Sequence, residues 1–215
     1  MNVFFTNECP IQSANEHCHV LRNKMIIEHT QLLSTALRML DGEQCRVYVK
    51  RVTKKRLDCG KVIKVVRLKL RTWYALPSDT FIKRMGLTIL DSYDVYADTH
   101  HNHPSAVWVR KSYDHYVWLW ECTKQLCALY THGDGKVHKT ESILDLLAVT
   151  PANIPEHGFT NPPVAAPDEF KALAVFGDTC KAYQEYLCSK FEEWQSRAKP
   201  IKVEFDVVPD WYCVN

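Results

Sequence analysis

Lys24 and Glu28 stand one helical turn apart. An amine beside a carboxylate is the pair needed for attack at a sugar C1′, or for charged general acid–base work. The same pair also reads as an ordinary exposed i,i+4 contact, in the less favourable order. Three histidines crowd into Thr99-His100-His101-Asn102-His103-Pro104. Imidazole is the commonest metal ligand, yet neither HExxH nor a Cys/His zinc spacing accompanies them, so no metal and no cofactor is expected. Pro104 suits the first position of a helix. His100 and His103 would then sit beside free N–H groups that favour an anion such as phosphate. The plainer alternative has His103 capping the helix and His101 facing water.

Two further clusters are Gly135-Lys136-Val137-His138, after a helix end, and Pro167-Asp168-Glu169-Phe170-Lys171, closing a proline-rich stretch. None of the four is diagnostic by spacing; they acquire meaning only if the fold gathers them. The candidate catalytic set is Lys24, Glu28, His100, His103, His138 and Glu169, with His17, Lys136 and Lys171 as candidate phosphate ligands.

The elements that must position these residues read mainly as helices. Ser13-Ala14-Asn15-Glu16 has the capping-box pattern and opens a long helix to Asp41, closed by Gly42. Its apolar stripe runs Cys18, Leu21, Met25, Leu32, Ala36, and a polar stripe runs His17, Lys24, Glu28, Gln31, Thr35. Residues 77–86 have room for one short helix. A second long helix is expected from Pro104 to Gly133, with Trp108, Ser112, His115, Leu119, Cys122, Leu126 and Leu129 as its seam. A shorter one covers Glu141 to Val149, and a last one Asp178 to Arg197. Between them, residues 150–168 form a proline-rich loop, and loops of that length are usually functional or disordered.

One segment departs from this pattern. Between Arg46 and Arg71 there are 11 Lys/Arg and one acid, a net of +10, against 16 basic and 24 acidic residues elsewhere, a net of −8. Val66, Leu68 and Leu70 alternate with Arg67, Lys69 and Arg71, and Leu57-Asp58-Cys59-Gly60 supplies turn residues. The reading is a β-hairpin inserted at 45–75 with one apolar and one strongly basic face. Its basic residues Lys50, Arg51, Lys54, Lys55, Arg56, Lys61, Lys64, Arg67, Lys69 and Arg71 suit a phosphate backbone. The competing reading is a solvated hairpin whose cations guard an edge strand.

The 215 residues, 46% hydrophobic and 24% charged, suffice for one core, so a single domain over 1–215 is expected: a compact helical bundle with an inserted hairpin. No apolar run approaches the ~20 residues of a membrane span. Met1 to Pro10 lacks a basic n-region and a long h-region, so no signal peptide is expected. Nine cysteines, an odd count without a CxxC pair, read as free thiols in a reducing cytoplasm.

Taken in order, the motifs resemble a family of small phage-encoded proteins, mostly of unassigned function. The matching segments are His17-Cys18, Lys24-Met25, Glu28, Gln31 to Ala36, Thr99-His100, Asn102-His103-Pro104, Trp108, Gly135-Lys136, His138, Asn153-Ile154-Pro155, Pro167 to Lys171 and Val208 to Trp211. They cover most of the chain except the hairpin. Where that family has Asp-Lys-His after the first His-Cys, this chain has His19-Val20-Leu21. A fainter similarity is to phage pyrimidine-dimer DNA glycosylases, helical enzymes with a catalytic Glu on the first helix and an N-terminal amine as nucleophile. Here Asn2 follows Met1, which disfavours removal of Met1 and leaves Lys24 as the expected nucleophile. The resemblance implies a phage DNA-directed enzyme acting on a damaged or modified pyrimidine nucleotide, with DNA or a nucleotide as partner. The alternative is a non-catalytic nucleotide binder that captures a host defence signal.

Overall fold

The computed structural model describes residues 1–56, 58–175 and 177–212. Helix α1 spans Pro10–Asn15 and α2 spans His19–Asp41, where the sequence predicts one helix from Ser13. The capping-box pattern misleads because Ser13 faces inward. Its hydroxyl donates to the Phe4 carbonyl at 3.1 Å and accepts from the Thr6 amide at 3.3 Å. The His17 ring bonds the Ser13 carbonyl at 2.7 Å, and Cys18 is extended (φ −65°, ψ 158°), so a new helix starts at His19. The apolar stripe holds: Cys18, Leu21, Met25, Leu32 and Ala36 are fully buried.

The second long helix is also broken. Helix α3 covers Pro104–Val109 and α4 covers Tyr113–Asp134. His115 bridges the gap, its Nδ1 2.8 Å from the Trp108 carbonyl and its ring stacked on Trp108 with centroids 4.4 Å apart. Helices α5 (Glu141–Leu146), α6 (Asp168–Val175) and α7 (Thr179–Gln195) follow. Residues 151–167 carry no helix or strand but are strapped to the body. Asp41 accepts from the Ala152 and Asn153 amides at 2.7 and 3.0 Å, Trp108 donates to Thr160, and Tyr183 donates to Pro163.

The chain is not a mainly helical bundle. It is 42% helix and 19% strand, an α/β arrangement with a mixed four-stranded sheet in the order β2-β1-β4-β3. Strands β1 (Glu43–Arg56) and β2 (Val62–Ala75) form the antiparallel hairpin. The hairpin's turn holds Gly60 at φ +80°, while Leu57, placed in that turn by the sequence, lies outside the described residues. In place of the helix expected over 77–86 there is a second hairpin, β3 (Thr80–Arg84) and β4 (Leu87–Ser92), and β4 pairs parallel with β1 at Tyr48 and Ile89. Its two-residue turn, Met85-Gly86, takes positive φ at both positions (52° and 74°), as primed hairpin turns require. Methionine there hides the signal that Asn-Gly would have given.

The register also corrects the one-sided ribbon. Val47 lies opposite Arg71, Val49 opposite Lys69, and Lys50 opposite Leu68. Residues directly opposite share a face. Cations and apolar side chains therefore occupy both faces: Arg51, Lys55, Arg67, Lys69 and Arg71 on one, Arg46, Lys50, Lys54, Arg56 and Lys64 on the other.

Candidate functional site

Helix α2 places Lys24, Glu28, Gln31 and Thr35 on one stripe, as the 3.6-residue period demands, exposed at Lys24 and fully buried at Thr35. Lys24 Nζ lies 3.5 Å from Glu28 Oε1, the lysine more than half exposed and the glutamate largely covered. The Asn2 amide donates to the other carboxylate oxygen of Glu28 at 3.3 Å. Two turns further on, Thr35 Oγ1 accepts from the Thr99 amide at 3.1 Å and so docks the 98–103 loop against this stripe.

That docking brings in the histidines. His100 sits in the left-handed region (φ 49°), its Nδ1 2.7 Å from Thr99 Oγ1. His103 caps α3, its Nδ1 accepting from the Ser105 amide at 3.2 Å, so in the neutral ring Nε2 carries the proton. Burial holds the His103 pKa below the ordinary imidazole value. The nearby Met1 amine and His100 add to that, and Glu28 opposes it. Glu28, His100 and His103 thus form one neighbourhood, which Lys24 joins through its pair with Glu28.

Lys190 of α7 joins this neighbourhood, and no sequence signal pointed to it. Its ammonium lies 5.6 Å from the Tyr186 ring centre and 5.3 Å from that of Trp194. Burial lowers its pKa first and the Lys24 charge second.

The remaining candidates lie elsewhere. The His138 ring is wedged between Asn23 (Nε2 to Oδ1, 2.8 Å) and the Tyr130 ring, and its Nδ1 accepts from the Thr140 amide. Burial lowers its pKa. It faces the packing seam of α2 and α4, near a cavity of about 310 Å³ lined by His19, Arg22, Asn23, Tyr130 and Gly133. Glu169 is exposed in the first turn of α6, where its neighbour Asp168 pairs with Lys171 at 2.8 Å. Lys136 is exposed beyond the α4 cap at Gly135. His17 is a core residue, its pKa lowered by burial to about 4. The three candidate phosphate ligands therefore share no site. Among the described residues, no group of three or more His, Cys, Asp and Glu side chains is disposed to hold a metal ion, and eight cysteines are free.

The root of the ribbon is bolted to the same loop. Arg71 donates to Asp98 at 2.9 Å, and His101 bonds the same carboxylate oxygen. Behind it, Arg38 of α2 forks onto Asp79 at 2.7 and 3.0 Å and caps the Tyr74, Val95 and Tyr96 carbonyls. Burial pushes the Asp79 carboxyl up, but hydrogen bonds from Arg38, Trp73 and the Leu76 amide hold it below its ordinary range. Among the described residues, no helix is long and apolar enough to cross a membrane. Comparison with known proteins finds no match to this chain, whether by family model, curated protein or solved structure.

Proposed function

We propose that this chain is a phage DNA-directed enzyme acting on a damaged or modified pyrimidine nucleotide. The observation that carries the reading is the Lys24 amine, 3.5 Å from the Glu28 carboxylate, whose charge in turn acts on His103. In this scheme Glu28 takes the proton that Lys24 must lose. Lys24 Nζ then attacks C1′. The new N–C1′ bond forms as the glycosidic bond breaks, and the base leaves with that electron pair and takes the proton now on Glu28, while His103 Nε2–H donates a hydrogen bond to it. The new secondary ammonium then loses a proton to Glu28. The nitrogen pair forms the C1′=N bond as C1′–O4′ breaks, and O4′ keeps that pair and takes the proton back from Glu28, leaving a protonated imine on Lys24. The nucleotide must be flipped out of the helix to reach this site, while the basic ribbon holds the backbone.

Borohydride reduction during turnover on a pyrimidine-lesion duplex should trap a protein–DNA adduct that maps to Lys24. Lys24→Ala should abolish trapping while leaving DNA affinity within a few-fold. Lys24→Arg should fail as well, since a guanidinium is not deprotonated near neutral pH. An adduct mapping to another amine, or none on any pyrimidine substrate, overturns the assignment of Lys24.

One observation favours the second reading, a nucleotide binder without turnover. Of the candidate acids only Glu28 lies beside Lys24, while Glu169 is exposed on α6. A cation-and-imidazole site with one acid can grip phosphates. If that is its work, Lys24→Arg restores most of the function and no adduct forms.

A further inference from the structure

Among the described residues, no strand beyond Tyr48 pairs with β1 except β2, so residues 50–56 and 62–68 form a free two-stranded arm. At ~3.4 Å per residue it projects on the order of 24 Å. The charge on this arm is not confined to one face. Arg51, Lys55 and Arg67 lie on one face, and Lys54, Arg56 and Lys64 on the other, all exposed. Two pairs oppose like charges directly across the strands, Arg51 with Arg67 and Lys54 with Lys64. Such pairs destabilise a hairpin. Edge protection does not require them, since a few lysines on each of the arm's two edges would suffice without facing like charges across the strands. A polyanion lying against one side of the arm would leave half of this charge unmet.

We infer that the arm enters the major groove of duplex DNA, so that each of its two faces meets one of the phosphate strands that wall the groove. This deepens the DNA-directed reading above by naming duplex as the substrate class. The dimensions agree. Side chains project about half of the ~10 Å sheet-to-sheet spacing from each face, so a ribbon dressed on both sides is about 10 to 12 Å thick. The major groove is ~12 Å wide and admits a two-stranded ribbon, whereas the ~6 Å minor groove does not. The exposed apolar residues Val52, Val62, Val66 and Leu68 share the second face. They are suited to sugar and thymine-methyl contact between the charged ends. The Arg71–Asp98 pair fixes the arm to the loop that carries His100 and His103. Groove entry therefore sets where the duplex lies relative to Lys24.

The test uses the full chain and an undamaged duplex of about 20 base pairs, with binding read by fluorescence anisotropy over a salt series. Two triple variants are compared, R51Q/K55Q/R67Q and K54Q/R56Q/K64Q, each checked for a native circular dichroism spectrum. Each should lower the log–log salt slope by ~2.5 to 3 units, the loss of three phosphate contacts. Glucosylated hydroxymethylcytosine, which fills the major groove, should weaken binding at least tenfold, and a minor-groove ligand such as netropsin should not compete. The inference is overturned if one triple leaves the slope unchanged, if netropsin displaces the protein, or if phosphatidylserine vesicles bind more tightly than duplex. A parent protein without duplex affinity also overturns it, while adduct formation at Lys24 on a nucleotide would stand. Conversely, duplex binding through both faces with no trapping on any substrate removes the catalytic reading and leaves the groove contact.

Discussion

The body of the molecule and the distal arm of its ribbon treat charge in opposite ways. In the body, the buried cations Arg22 and Arg38 are paired, and the buried imidazoles of His17 and His29 are kept neutral. Arg38 is fully buried and spends its donors on Asp79 and three carbonyls. His17 and His29 are buried, and burial drives their pKa values to about 4 and about 3. Along the arm, by contrast, Arg51, Lys54, Lys55, Arg56, Lys64 and Arg67 have no ion-pair partner among the described residues. On the DNA-directed reading proposed above, the counter-charges of the arm are the phosphates of a duplex. The comparison is broken or sharpened by removing each kind of charge in turn.

The largest effect is expected at the root. Arg38→Met leaves Asp79 buried without its cation and uncaps three carbonyls at the junction of α2 with the sheet. Breaking a buried pair by removing one partner costs about 3 to 5 kcal/mol. Urea denaturation should register that loss. Arg38→Lys should not restore it, because an ammonium cannot reproduce the fork onto Asp79. A loss under 1 kcal/mol would mean that the ribbon root is not held by this pair.

Acid should act on the body next. The unfolded chain binds protons on His17 and His29 near pH 6.5, whereas the folded chain resists until about 4 and about 3. The sign follows. Stability is complete above pH 6.5 and drains as pH falls through that window, because the unfolded state binds more protons. At ~1.4 kcal/mol per pH unit, His17 contributes on the order of 3 kcal/mol of acid sensitivity. Urea midpoints measured from pH 7.5 to pH 4 should fall steeply, and His17→Gln should flatten the curve. A pH-independent midpoint above pH 4.5 would contradict the neutral, buried assignment.

The two regions also differed in how far their sequence could be read. The buried stripe of α2 was legible because Leu21, Met25, Leu32 and Ala36 recur at helical spacing and nothing competes for them. The ribbon's strands were legible for the same kind of reason, at period two. Its faces were not. Val47 and Val49 on β1, and Val66, Leu68 and Leu70 on β2, suggest a common apolar face, but the register pairs odd with odd and even with even positions. That sets the apolar face of one strand beside the basic face of the other. A shift of one residue would have reversed it, and turn parity cannot be read from composition.

Within the site, Lys24 and Glu28 are local and could be found by spacing. His100 and His103 join them only through the Thr35–Thr99 contact, 64 residues apart in sequence. Lys190 arrives from the last helix with no motif around it, and Arg38 offered no sign that it was buried.

The smallest effect has the most informative sign. Lys64 faces Lys54 across the ribbon, and like charges directly opposite destabilise a hairpin where opposite charges support it. Lys64→Glu should therefore stabilise the fold by about 0.2 to 1 kcal/mol. The gain should fade as salt screens the pair, with a Debye length of ~10 Å at 0.1 M. The same change should weaken duplex binding and lower its salt slope by roughly 1 to 2 units, since one phosphate contact is lost and an acid takes its place. Chemical denaturation at low and high salt, alongside binding over the same series, reads both quantities on one variant. Opposite signs would show that the arm keeps its charge at the expense of folding. A variant that is less stable and binds no worse would place Lys64 among the structural cations of the body and end the contrast.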